Sequence, residues 1–237
     1  MAVFVVANPA SQQLKAYPPV ATSSILSRLR AETRKEHEAV EQVLDLMSKS
    51  ITHQIYRQCL EQFYGFYEPL EKALQARVDQ WADAVDGTSL SYATRVALAA
   101  RLNKTAFLRQ DLHHLGVSAH GLDLCRDLPP LKTQSEVLGC LYVIEGATLG
   151  GRMITQHVGT ILGISPTAGS SFFDGYGDDT ARMWQGMRQL LLCNSPDTET
   201  ENNIVTNAKS TFACLRIWCE VFTKTNIKRG LSSCAKT

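Results

Sequence analysis

The sequence predicts an all-α fold in a single domain. Apolar residues recur at three- and four-residue spacing through most of the 237 positions, strand-like alternation over more than five residues is hard to find, and two capping signals mark helix starts. This length suits one medium domain, and a hydrophobic content of 44% is enough for a sizeable core. No linker or internal repeat divides the chain.

Residues 1–22 read as a loosely ordered arm. Met1 to Ala7 is apolar but has no basic flank and stops at Asn8-Pro9, too short for an export signal or a membrane span. The domain is expected over 23–228, with a tail at 229–237. The first helix is placed near 24–49, where Leu26, Leu29, Thr33, His37, Val40, Leu44 and Met47 form one stripe. The second lies near 52–80; its aromatics Tyr56, Phe63, Tyr64, Phe66 and Tyr67 are read as core, and Pro69 should bend it. Helices near 91–102 and 105–116 follow. Pro129-Pro130 closes a loop, and Thr133 to Glu136 has the spacing of a capping box, opening a helix near 133–162. Gly163 to Gly177 reads as a turn-rich crossing loop. Helices near 179–193 and 198–226 complete the chain, the last opened by Thr198-Glu199-Thr200-Glu201 after Pro196.

The helix near 133–162 contains an unusual stretch, Tyr142 to Arg152, with Gly146, Gly150 and Gly151 in six residues. Each glycine in a helix interior costs roughly 1 kcal/mol relative to alanine. Gly146 and Gly150 share a face, so the helix presents a strip where a flat ligand can meet bare backbone; close helix packing would use the same pattern. His37 sits within the inward stripe of the first helix, facing a core or a ligand. Glu41, one turn on, can accept the proton of the ring nitrogen not used for ligation. His157 is the rival histidine, seven residues after Gly150, but no carboxylate lies within four residues of it. His53, His113, His114 and His120 fall near helix ends or loops and are expected to be solvated.

Net charge is +1 and no basic block is interleaved with aromatics, so a nucleic-acid partner is not expected; with the apolar start too short to span, no membrane partner is expected either. Seven scattered cysteines without a Cys-x-x-Cys argue against a disulfide framework or a zinc site and fit the reducing cytoplasm. Cys140 reads as a core thiol, not a ligand. None of the six histidines has a glutamate three positions before it, which argues against a carboxylate-bridged di-iron site. No Gly-x-Gly-x-x-Gly unit follows a strand, so the chain binds no dinucleotide of its own by that route.

Together these segments resemble the biliverdin-forming heme oxygenases, most closely the bacterial type associated with bacteriophytochromes. The likeness spans roughly residues 24–225. It rests on Leu29 to Thr33 leading to His37 and Glu41, on Phe63 to Glu71, on Tyr142 to Gly151, and on Phe172 to Gly177 followed by Trp184. The resemblance implies a helical bundle that holds heme between a proximal helix and a kinked, glycine-rich distal helix. His37 would be the proximal ligand and Glu41 its partner, with Gly146, Gly150 and Gly151 on the distal, catalytic side. Arg30, and in second place Arg188, would meet heme propionates. Tyr142 and Ala147 would line the pocket, and Phe212 would close it from the last long helix. Heme would be both substrate and prosthetic group, O2 the co-substrate, and a ferredoxin or reductase the electron donor, with a bacteriophytochrome as a receiver of biliverdin. Many members carry an aspartate directly after the first distal glycine, where this chain has Ala147. That departure leaves a non-catalytic heme carrier or sensor on the same fold as the alternative.

Overall fold

Thr33 divides the first helical pattern in two. Its backbone (φ −100°, ψ 1°) leaves the helical region, and both its amide and its hydroxyl turn back onto Leu29 O, at 3.0 and 2.7 Å. The chain, seen here in a computed structural model that describes residues 24–82 and 92–234, therefore begins with α1 (Ile25–Glu32) and α2 (Arg34–Leu44) instead of one continuous helix. The arm expected over 1–22 lies outside the described residues. Then come α3 (His53–Ala82), α4 (Tyr92–Ala99), α5 (Lys104–His114), α6 (Gln134–Leu162), the short α7 (Ser171–Asp174), a single 3₁₀ turn (Gly177–Asp179), α8 (Thr180–Cys193) and α9 (Thr198–Cys234). Among the described residues there is no β-strand, only isolated bridges at Ser165.

Side chains reaching across the fold set where several helices begin. Thr133 and Glu136 form the expected capping box of α6. The start of α5 is capped from α3, because the Glu71 carboxylate accepts from the amides of Lys104 (2.7 Å) and Thr105 (3.0 Å). Asp111 of α5 in turn accepts from the amides of Ser171 and Phe172, both at 2.8 Å, and so creates α7 inside the stretch expected to be loop. α9 departs from expectation at both ends. Its start is capped by Asp197, which accepts from the Thr200 amide at 2.7 Å, and it runs to Cys234, making residues 229–234 helix where a tail was expected.

α6 is the central helix, packed against α7, α8 and above all α9. Gly139 permits that last contact: a Cβ there would stand 2.4 Å from Ile204 O and 2.9 Å from Ala208 N. α6 is long and apolar enough to cross a bilayer, but 56% of its most apolar window is buried, as in a core helix. α3 supplies the rest of the core through Tyr56, Leu60, Phe66, Tyr67, Leu70 and Leu74. Pro69 lies within α3 and removes the donor that Gly65 O would otherwise use. That carbonyl instead accepts from Cys125 N at 2.8 Å, and the missing Cβ of Gly65 lets the incoming segment approach.

Candidate functional site

The site begins where α6 meets the α1–α2 break. Tyr142 of α6 is half-buried against the Thr33 hydroxyl; burial raises its phenol above the ordinary range, while Thr33 and the Arg30 charge act in the opposite direction. His37 lies one turn beyond Thr33 and Gly146 one turn beyond Tyr142, so both walls spring from this contact.

On the α2 wall, the His37 side chain is 53% exposed although it belongs to the stripe that buries Leu29, Thr33, Val40 and Leu44. Its Nδ1 faces Glu41 Oε2 at 3.6 Å, an ion-pair spacing too long for a hydrogen bond. The ring meets buried Phe212 of α9 edge-on, with centroids 5.6 Å apart. Nε2 has no partner among the described residues.

On the α6 wall, a Cβ at Gly150 would meet nothing within 4 Å, and one at Gly146 only the Trp184 ring of α8 at 4.0 Å. Tyr142 and Trp184 stand 5.9 Å apart, and Arg188 is exposed one turn after Trp184 on the same helix face. Ala147 is exposed, as are Leu149 (48%) and Met153 (64%). The central helix, buried on its opposite face through Ile144 and Thr148, thus leaves an apolar, partly side-chain-free face uncovered.

Gly151 does not belong to that face. A Cβ there would stand 1.9 Å from Phe173 O, so this glycine exists to admit the α7 backbone. The open strip is Gly146 and Gly150, and the third glycine serves packing.

Glu145 is the residue whose structural role sequence reading missed. It is 1% exposed, and its carboxylate receives Arg101 Nη1, Lys104 Nζ (2.5 Å) and the Tyr176 hydroxyl (2.8 Å). Burial and the adjacent carboxylate push the Tyr176 phenol far above its usual value, which keeps it a donor. Arg101 also donates through Nη2 to Met183 O of α8 at 3.1 Å, passing Gly186, whose absent Cβ would sit 3.0 Å from that nitrogen. One guanidinium therefore ties together the two helices that carry Gly146 and Trp184. The signal was legible in principle, since a carboxylate in the apolar run Val143-Ile144-Glu145 must find charged partners when buried.

His157, Arg152 and Cys140 are committed elsewhere. His157 Nε2 donates to Ser48 O at 2.9 Å, and Arg152 pairs with Asp178 at 3.2 Å on the surface. Cys140 is wholly buried, and desolvation pushes its thiol up to about 12, so it offers no thiolate near neutrality. Among the described residues, no group of three or more His, Cys, Asp or Glu side chains is placed to hold a metal ion. Any iron held by His37 would have to bring its other ligands with it.

The family model for heme oxygenase matches residues 23–221. No curated protein matches the sequence. Among solved structures, the chain is similar to the NO- and CO-bound heme oxygenase of Neisseria meningitidis (TM-score 0.67, 18% identity, covering 85% of this chain and 92% of that one). It is also similar to the heme oxygenase of Leptospira interrogans (0.62, 20%, 83% and 98%). A third likeness is to a heme oxygenase of the cyanobacterium Synechocystis in complex with heme (0.63, 17%, 90% and 99%). At these identities the structural likeness speaks for the fold.

Proposed function

Because this chain belongs to the heme oxygenase family, we propose that it opens the heme macrocycle oxidatively, releasing biliverdin, ferrous iron and carbon monoxide. O2 is the co-substrate, and an external ferredoxin or reductase supplies the electrons. The observation that carries this reading is the uncovered strip of Gly146 and Gly150, flanked by exposed Leu149 and Met153, on a helix whose opposite face, with Ile144, Thr148 and Gly151, is buried. A flat apolar macrocycle fits that surface, because a large exposed apolar face asks for a ligand.

In this reading His37 ligates the iron through Nε2, while Glu41 faces Nδ1 and orients the ring. Phe212 fixes the imidazole edge-on, and Trp184 and Tyr142 border the strip. Arg30 and Arg188, both exposed, meet the propionates as charged donors. Gly146 and Gly150 would leave room for dioxygen and supply main-chain polar contacts. Heme held by His37 alone would supply the iron chemistry that activates dioxygen. We take residues 23–228 as the heme-binding domain and the chain as one of the bacteriophytochrome-associated type, working in the cytoplasm with a bacteriophytochrome as receiver of the pigment.

One observation favours a second reading, a heme carrier or sensor: Ala147 is exposed where many members carry an aspartate, and Glu145 is bound to Arg101 and Lys104 instead of facing the strip. Adding ascorbate or reduced ferredoxin to the heme complex in air separates the two. Loss of the Soret band with growth of a biliverdin spectrum supports the enzyme, and a stable oxy complex supports the carrier.

A further inference from the structure

A cleft of about 660 Å³ opens between α3, the end of α5 and the loop that follows, lined by Tyr64, Arg109, His113, Val117, Ser118 and His120. This is the size of a small-molecule site, and it shares no residue with the His37 and α6 walls. Tyr64 is only 7% exposed, yet its hydroxyl has no hydrogen-bond partner among the described residues. Its neighbour Tyr56, by contrast, donates to Gly169 O at 2.8 Å. The Tyr64 ring is buried but its hydroxyl is not sealed from solvent, so on the cleft wall it is free to donate to a ligand acceptor.

Arg109 has no carboxylate within ion-pair distance among the described residues, and the imidazoles of His113 and His120 are exposed at the same cleft. The end of α5 brings a helix C-terminus to the cleft, a partial negative charge that the Arg109 guanidinium outweighs, and three of its carbonyls are hydrogen-bonded. Leu115 N reaches Asp111 O (3.1 Å), Gly116 N reaches His113 O (3.0 Å), and Val117 N reaches Leu112 O (2.9 Å). Gly116, at φ 74°, closes this turn. Side chains that carry donors, Tyr64, Arg109, His113 and His120, therefore line one cleft beside Val117.

We propose that this cleft binds an organic carboxylate with an apolar body, the guanidinium of Arg109 and the hydroxyl of Tyr64 holding the carboxylate and the two imidazoles standing at its rim. The proposal is independent of the heme reading. It is tested on the full chain by following the histidine ring signals in NMR during titration with 2-naphthoate and, separately, with inorganic phosphate at fixed pH. The expected result is saturable shifts of His113 and His120 with naphthoate, His37 and His157 unmoved, and a weaker, non-saturating response to phosphate. Arg109→Gln changes an exposed residue and should weaken naphthoate about tenfold. Tyr64→Phe removes only the hydroxyl and should weaken it about threefold. Shifts that grow linearly without saturation, equal responses to naphthoate and phosphate, or binding unchanged in Arg109→Gln would overturn the proposal.

Discussion

Arg101 donates to the Glu145 carboxylate from one guanidinium nitrogen while its other reaches Met183 O, so a single side chain spans the gap between α6 and α8. Glu145 is the hub of the cluster, since Lys104 and Tyr176 converge on the same group. Removing the hub orphans two buried cations, whereas removing Lys104 leaves Glu145 with Arg101 and Tyr176. Glu145→Ala is therefore expected to cost about 3 to 5 kcal/mol and Lys104→Met clearly less. Urea unfolding of the two variants measures this, and equal costs would mean that the cluster does not centre on Glu145.

The two neighbouring glycines separate packing from the open strip. Gly151→Ala would drive a Cβ into Phe173 O and should destabilise the chain by about 3 kcal/mol, despite the ~1 kcal/mol that alanine gains in a helix. Gly150→Val meets open space, so its unfolding midpoint should stay at or slightly above that of the parent while hemin titration shows lost or weakened binding. Heme binding unchanged in Gly150→Val would remove the strip from the site.

The all-α class and most helices were legible because their periodicity is strong and their caps are local, as with Thr133 and Glu136. What escaped depends on contacts distant in sequence. α7 exists because Asp111, some sixty residues earlier, accepts its first amides, and no pattern within Gly163 to Gly177 announces that. The break at Thr33 is a hydroxyl bonding back onto Leu29, a choice the apolar stripe does not record. Gly151 looked like part of the strip because helical spacing places it beside Gly150; only the approach of Phe173 shows that it faces another neighbour. The placement of His37 in an inward stripe was readable, but its 53% exposure, which makes it available, was not.

Asp111 gives the stability of α7 a pH dependence of definite sign. Desolvation raises its carboxyl above 3.8, outweighing the hydrogen bonds from Phe172 and Ser171 that act in the opposite direction. The folded chain therefore holds this proton more tightly than the unfolded chain. The contribution is full below 3.8 and is lost as pH rises through the folded value. Asp111→Asn deletes this titration, so the parent's advantage over the variant in urea midpoint should shrink from strongly acidic pH towards neutrality. An advantage that grows with pH would show that the hydrogen bonds outweigh desolvation.

His37 and His157 are the two histidines that sequence spacing brought near the strip, and their surroundings now differ in kind. His157 is half-buried and spends Nε2 on Ser48 O, so binding iron would break a hydrogen bond that ties α6 to the loop after α2. His37 loses nothing of that sort: its Nε2 is uncommitted, Nδ1 already faces Glu41, and Phe212 braces the ring. His37→Ala should therefore abolish the histidine-ligated heme spectrum while leaving helical circular dichroism close to that of the parent, because an exposed side chain contributes little to the core. His157→Ala should do the opposite, lowering thermal stability by about 1 kcal/mol through the lost hydrogen bond while the heme spectrum persists. Added imidazole should restore a ligated spectrum to His37→Ala, since the space left by the ring opens on the same face. If the spectrum disappeared in His157→Ala and survived in His37→Ala, the proximal wall would belong to α6 instead of α2.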